Sequence, residues 1–319
     1  MKDRLGREIE YLRISVTQNC NLNCIYCKPD NRHNAASCQG MLMPEEYKQI
    51  VGYMAELGIR KVRITGGEPL TRPDVCEIID CISKIPGIAD ISMTTNGIKL
   101  GSLAKKLKNA GLKRLNISID SLKEERYGFI TGGGRLEDVM TGIEGALEVG
   151  LKPVRTNTVL IKGINDEEVD AFIDLAKDRE VDVRFIELMP VGKYGEENSN
   201  KIVYNKDIIK ARPWLVPYEN TDFSQPAKYY KIAGFKGKIG FISPMSHKFC
   251  ADCNRIRLTC DGKIKPCLGD NGEIDIMPIL RNSPEKLAQL LSQAIYCKPE
   301  GHNFNKSFNS KRNMSMIGG

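Results

Sequence analysis

Between Tyr11 and Leu188 the chain alternates short β-branched runs with amphipathic stretches. Residues 12–16, 61–65, 90–94, 114–119, 154–160 and 183–187 read as strands. The stretches between them carry apolar residues at helical spacing. One covers 44–57, with Pro44 in the first turn, where a missing N–H is harmless. Another covers 167–177 and is opened by Asn165-Asp166. This alternation predicts βαβ units and a parallel sheet. Six units are too few for a complete eight-fold barrel. The expected fold is therefore α/β: an incomplete, three-quarter parallel barrel of six βα units, with a lateral mouth for another domain or a large substrate.

After Pro190 the pattern changes. Residues 191–195 read as loop, 205–214 as a helix stopped near Pro213 and Pro217, and 218–226 as a polar linker. Strand-like runs at 229–232, 238–242 and 255–259 follow, joined by glycine turns, then a helix at 284–294 and a polar tail. The expected organisation is a partial-barrel domain over 1–220 and a smaller α+β domain over 221–319. No internal repeat is visible.

Composition narrows the class more than the function. Of 319 residues, 41% are hydrophobic and 27% charged, as in ordinary globular proteins. No stretch approaches the ~18 uninterrupted apolar residues of a membrane helix. Met1-Lys2-Asp3-Arg4 leads into no apolar run of signal-peptide type, so a cytoplasmic protein with no membrane partner is expected. Eleven cysteines in such a protein point to metal ligands or buried thiols rather than disulfides. The net charge of +7 fits an anionic small substrate as well as a nucleic acid.

Cys20, Cys24 and Cys27 form CxxxCxxC. Three thiolates this close can hold three corners of a four-iron cluster and leave one iron open. The plainer alternatives are zinc, with His33 or Cys38 as fourth ligand, and a chance group of buried thiols. Tyr26 weighs against both. With it the stretch resembles the radical S-adenosylmethionine (SAM) superfamily, whose signature CxxxCxΦC has an aromatic at Φ. Thr65-Gly66-Gly67-Glu68-Pro69 closes the second predicted strand, at the end where α/β barrels place active sites. Glycines there let the backbone approach a ligand, although a plain strand–helix turn would look the same. The element is similar to the superfamily's GGEP, which implies a contact to the SAM amino group. The resemblance implies SAM binding by Tyr26, Gly67, Ser118 and Met189; outside this context Met189 reads as core packing.

Cys250, Cys253 and Cys267 form CxxC-x13-C. On spacing alone, a second incomplete cluster and a zinc site completed by His247 or Cys260 both stay open. Arg255 and Arg257, two apart on a predicted strand, point to one face. Their planar forks would make a phosphate clamp; a solvated edge strand is the plain alternative. The whole stretch Phe249-Cys250-Ala251-Asp252-Cys253-Asn254-Arg255-Ile256-Arg257-Leu258-Thr259 resembles the GTP 3′,8-cyclase family, and the resemblance runs from Leu12-Arg13-Ile14-Ser15 to Ile317-Gly318-Gly319.

That resemblance implies a radical SAM lyase acting in the first step of molybdenum cofactor biosynthesis. Its reaction would convert GTP to (8S)-3′,8-cyclo-7,8-dihydroguanosine 5′-triphosphate by C3′ hydrogen abstraction and C3′–C8 bond formation. The implied cofactors are SAM and two [4Fe-4S] clusters, one on Cys20, Cys24 and Cys27, the other on Cys250, Cys253 and Cys267 and facing the guanine. GTP contacts are implied for Arg13, Arg63, Thr94, Arg155, Arg255, Ile256 and Arg257. Gly318 and Gly319, otherwise read as a disordered end, are implied to thread into the active site. Arg155 stands where lysine is usual, a fork in place of a point charge. Cys260 stands where a small residue is commoner. Cys38, Cys76, Cys81 and Cys297 match no ligand position, and Cys76 and Cys81 are expected to pack within a helix. The implied partners are GTP, an electron donor of flavodoxin or ferredoxin type, a second copy of the chain, and cyclic pyranopterin monophosphate synthase for product hand-off, with no nucleic acid. One rival is another two-cluster radical SAM enzyme, a peptide or sulfatase maturase, which carries more C-terminal cysteines and lacks the Asn254–Arg257 run and the double glycine. The other is a zinc-stapled nucleic-acid-binding module, which Gly-Gly-Glu-Pro behind CxxxCxxC disfavours.

Overall fold

The computed structural model describes residues 1–27, 40–219, 224–302, 304, 312 and 314–318. His33, Cys38 and Gly319 lie outside the described residues. Six parallel strands stand side by side in chain order: β1 (Tyr11–Ser15), β2 (Lys61–Thr65), β3 (Asp90–Thr95), β4 (Arg114–Ser118), β5 (Val154–Leu160) and β6 (Val181–Glu187). The helices α1 (Pro44–Glu56), α2 (Val75–Ser83), α3 (Leu100–Asn109), α4 (Glu124–Thr131), α5 (Leu136–Glu148) and α6 (Val169–Asp178) run between them. Each of these strands was expected, within two residues at either end.

The rest of the chain extends both edges of the same sheet. After α7 (Gly192–Glu197) and α8 (Asn205–Lys210) come β7 (Val216–Tyr218), β8 (Ala227–Lys231) and β9 (Ile239–Ile242). Strand β9 pairs parallel with β6, and β8 and β7 follow antiparallel. On the other side β10 (Arg255–Leu258) pairs parallel with β1, followed by β11 (Lys263–Lys265) and β12 (Ile274–Asp275), both antiparallel. Helices α9 (Met277–Asn282), α10 (Leu287–Tyr296) and α11 (Met314–Ile317) complete the chain. Among the described residues the end strands β12 and β7 do not pair, so the twelve-stranded sheet stays open, as a partial barrel does. No described helix is long and apolar enough to cross a membrane.

Two expectations are corrected. Residues 191–195 are not loop, because α7 begins at Gly192. A Cβ on Gly195 would lie 2.2 Å from the Met189 carbonyl oxygen, so glycine is what lets α7 rest on the end of β6. The helix expected to reach residue 214 stops at Lys210.

Alternation along the strands divides the sheet into two chemistries. Leu12, Ile14, Val62, Ile64, Met93 and Ile117 are fully buried against the helices, among Ile50 and Met54 of α1, Ile79 of α2, Leu107 of α3 and Ile143 of α5. Each such side chain contributes about 1.5–3 kcal/mol by leaving water. The opposite face carries Tyr11, Arg13, Lys61, Arg63, Asp90 and Arg114. A closed eight-stranded barrel fills that face with branched apolar side chains. Here it is polar, and it encloses a cavity.

Arg72 fixes the way out of β1. It is nearly fully buried, and its guanidinium donates to the carbonyls of Val16 and Leu42, 2.7 Å each, and to Asp74 at 2.6 Å, over the ring of Tyr47. Arg72→Met leaves two buried carbonyls without donors, at about 1–3 kcal/mol each. Thermal unfolding of this variant is expected several degrees below the wild type.

Candidate functional site

The first three cysteines sit on the loop that leaves β1, and the loop is tied on two sides. Toward β2, Gly67 N–H donates to Thr17 O at 2.6 Å and Glu68 N–H to Asn19 O at 2.7 Å. A Cβ on Gly66 would lie 2.7 Å from Thr17 O, and one on Gly67 2.3 Å from Asn19 O. The glycine pair therefore serves first to let the cysteine loop lie on the end of β2. The Gly67 N–H is engaged there, so a ligand can meet only its carbonyl. Toward α4, Asn23 N–H and Ile25 N–H donate to Thr131 O and Ile130 O, each at 2.9 Å.

Two buried carboxylates brace this end. Glu68, 1% exposed, accepts from Leu70 N–H, Thr95 Oγ1 and Asn96 N–H at 2.9, 2.7 and 2.6 Å, which locks the end of β2 to that of β3. Burial pushes its carboxyl up to about 7 against the pull of these donors. Asp120 accepts from Tyr26 Oη at 2.6 Å and Val159 N–H at 2.8 Å, and burial raises it to about 6. Tyr26 is thereby fixed beside Cys27. Burial pushes the Cys24 thiol well up, and Cys27, Asp120 and Cys20 add to the rise. Cys20, Cys24 and Cys27 line one cavity, and an iron–sulfur centre would take them as thiolates.

The second triad brackets β10 and β11: Cys250 and Cys253 precede β10, and Cys267 follows β11. Arg7 ties this corner together, donating to the carbonyls of Cys250 and Glu300 at 2.9 Å and of Pro299 at 2.7 Å while it pairs with Asp3 at 2.6 Å. A Cβ on Gly301 would lie 3.3 Å from the Cys250 sulfur, so the segment after α10 packs directly on that cysteine. Burial pushes the Cys253 thiol up, but Arg255 and Lys298 outweigh it and bring it down to about 7. Of the fourth ligands expected for zinc, His247 is exposed and Cys260 is buried with Gln18 as its partner, and neither lines the cavity that the three cysteines line. His302 does line it. Among the described residues no three His, Cys, Asp or Glu side chains are grouped to hold one metal ion.

Both triads open on a single cavity of about 670 Å³. Among the described residues nine Arg or Lys side chains line it, against four Asp or Glu. The register explains the density: Arg257, Arg13 and Arg63 are direct partners across β10, β1 and β2. Burial pushes the Arg13 guanidinium well below its usual range, and Arg257 and Arg63 add to this. Burial lowers Arg63 and Arg257 to about 10. Across the cavity Arg184 donates to Asn116 Oδ1 at 2.5 Å, and Arg155 faces Asp182 at 3.4 Å. Desolvated like charges are costly unless an anion joins them. Nε of Arg184 and Arg255 and Oγ1 of Thr94 are buried with no hydrogen-bond partner among the described residues, donors that a bound ligand can satisfy. The arrangement is a site for a polyanion.

Of the residues singled out in the sequence, Cys20, Cys24, Cys27, Tyr26, Gly67, Ser118 and Met189 line the cavity, as do Cys250, Cys253, Cys267, Arg13, Arg63, Thr94, Arg155, Arg255 and Arg257. Ile256 does not. It points to the other face of β10, fully buried in the apolar core, so only its backbone is available to a ligand. Gly318 reaches the strand ends: its carbonyl accepts from Arg257 Nη1 at 2.5 Å, and at φ +73° a Cβ there would lie 2.1 Å from Thr65 Oγ1. Arg312, paired with Asp261 at 2.9 Å and Glu273 at 2.8 Å, anchors the segment ahead of α11. Lys61, Arg114 and Arg184 also line the cavity and were missed, although each shares the inward alternation of Arg13 and Arg63. Of the two cysteines expected to pack within a helix, Cys76 packs, partly buried, against the core, while Cys81 is partly buried with its sulfur 3.9 Å from Glu45.

Comparison with known proteins agrees with this geometry. The sequence model of the Radical SAM superfamily matches residues 14–176, and that of Molybdenum Cofactor Synthesis C matches residues 181–304. A GTP 3′,8-cyclase of Alkaliphilus oremlandii (strain OhILAs) is 50% identical over 321 aligned positions, and one of Alkaliphilus metalliredigens (strain QYMF) is 49% identical; in both cases all of each chain is covered. Among solved structures, Streptococcus suis SuiB bound to S-adenosylmethionine aligns with a TM-score of 0.63 at 16% identity, covering 97% of this chain and 77% of that one. This last likeness is one of fold.

Gly67→Ala forces a Cβ into the cysteine loop. The expected outcome is an unchanged circular dichroism spectrum with about four fewer irons bound per chain after anaerobic reconstitution, read by iron analysis.

Proposed function

The chain belongs to the GTP 3′,8-cyclase family of the radical SAM superfamily, and from that premise we propose how its cavity cyclises GTP in the first step of molybdenum cofactor biosynthesis. One observation carries the reading: two cysteine triads and a row of arginines line one cavity. Cys20, Cys24 and Cys27 would hold a four-iron cluster, and Cys250, Cys253 and Cys267 a second. When bound, the first group with SAM would supply one-electron chemistry that yields a 5′-deoxyadenosyl radical, and a second cluster would supply a Lewis-acidic site for the substrate.

The rest is the work of the chain's own residues. Arg13, Arg63 and Arg257, partnered in register, take triphosphate oxygens, with Lys61 and Arg184 lining the same space. Arg155 serves where a lysine is usual, its fork oriented by Asp182. Tyr26, the Gly67 carbonyl, Ser118 and Met189 receive SAM. Holding SAM against the ribose C3′ of GTP, two reactants made to react as one, is worth up to about 7–11 kcal/mol of the barrier. Arg257 also holds the Gly318 carbonyl, which keeps the tail over the strand ends and water away from a radical. A hydrogen atom leaves C3′, and N7 gains a proton and one electron from the external donor, so the product is an isomer of GTP. We place the functional division near residue 220: residues 1–220 carry the SAM site and part of the triphosphate site, and residues 221–319 bring the second triad with Arg255 and Arg257. A flavodoxin- or ferredoxin-type donor, a homodimer, a cytoplasmic setting and hand-off to cyclic pyranopterin monophosphate synthase belong to the same reading.

The test is anaerobic reconstitution followed by incubation with SAM, dithionite and GTP. The expected result is about eight irons per chain, 5′-deoxyadenosine formed only with GTP, and a cyclised isomer of GTP. About four irons with one zinc, or 5′-deoxyadenosine formation indifferent to GTP, contradicts the reading. Arg257→Leu is expected to raise the KM for GTP at least about tenfold, 1.4 kcal/mol. Arg155→Lys is expected to change it by less than about threefold, under 0.7 kcal/mol.

A further inference from the structure

Lys298 is a buried charge to which the reaction above gives no task. It follows α10, is 2% exposed, and lines the cavity together with Cys250, Cys253 and Cys267. Its Nζ donates to the carbonyl of Pro266 at 2.6 Å, the residue before Cys267. Among the described residues no carboxylate forms an ion pair with it. The charged neighbours that act on it are the thiols of Cys253 and Cys267 and two further cations, Arg7 and Arg255. Burial and the two cations lower its pKa, and among these neighbours only the two sulfurs, as thiolates, can hold the ammonium protonated. The ammonium is also held rigidly. Pro266 takes one of its three donors, and the segment after Lys298 is clamped by Arg7 through the carbonyls of Pro299 and Glu300.

We propose that Lys298 is the built-in counter-ion of the second cysteine triad and raises the reduction potential of the iron–sulfur cluster held there. The proposal rests on the reading that this triad holds a four-iron cluster. One-electron reduction by a mediator adds one negative charge to such a cluster, and no bond breaks. A fixed positive charge in a water-poor site favours the reduced form, and net charge and hydrogen bonding near the sulfurs are what set cluster potentials. The role proposed for Lys298 is exerted through the cluster.

The experiment uses the full chain with Cys20, Cys24 and Cys27 replaced by alanine, so that only the second triad can hold iron. Lys298→Met and Lys298→Arg are added to this parent. Iron and zinc are measured after reconstitution, followed by a mediated potentiometric titration monitored by electron paramagnetic resonance. The parent is expected to bind about four irons. Lys298→Met is expected to titrate at a lower midpoint than the parent, and Lys298→Arg close to it. Loss of iron in Lys298→Met with retention in Lys298→Arg equally supports a charge requirement. Equal midpoints in parent and Lys298→Met overturn the proposal, as does loss of iron in both variants, which would make the side chain a packing element. A parent that binds zinc or no iron instead overturns the second-cluster reading, and the proposal with it.

Discussion

The site depends on guanidinium groups crowded into one cavity and largely withdrawn from water. Arg257, Arg13 and Arg63 stand side by side across three paired strands, and Arg155, Arg184 and Arg255 face the same cavity. A barrel interior of this kind contributes little cohesion of its own. Stability has to come from the other face of the sheet, where Leu12, Ile14, Val62, Ile64 and Ile117 pack under the helices. The interior needs an anion instead, and that need defines what it binds.

Strand pairing fixes how the two ends of the cavity relate. The first triad sits on the loop leaving β1. The second is carried by β10 and β11, and β10 pairs directly with β1. The C-terminal segment thus does not cap a finished barrel; it adds strands to both open edges. One register, Arg13 against Arg257, sets the positions of both cysteine groups and of the tail, since Arg257 also binds Gly318. Gly66 and Gly67 do the same at closer range by letting the cysteine loop lie on the end of β2.

Much of this was legible in the sequence, for a physical reason. Ligands grouped on one loop leave a local signature, so Cys20, Cys24, Tyr26 and Cys27 could be read without the fold. Regular βα units did likewise for the six strands. Sites built across strands leave weaker traces. Lys61, Arg114 and Arg184 are each one inward position on a separate strand, and only pairing makes them a group. Ile256 shows the converse: it lies between two cavity-facing arginines, yet strand alternation turns it into the core. Strands β11 and β12, three and two residues long, are too short for any periodicity to show. Gly195 reads as loop in the sequence because a close helix–backbone approach and a loop use the same residue.

The claim that the arginine-lined interior exists to hold a triphosphate is tested most directly by equilibrium dialysis of the anaerobically reconstituted protein against GTP, GDP, GMP and guanosine at fixed salt. The account predicts affinity falling at each phosphate removed, with GTP at least about a hundredfold tighter than guanosine, 2.7 kcal/mol. Equal affinity for guanosine and GTP would contradict it, because the buried guanidiniums would then be answering to something other than the substrate's phosphates.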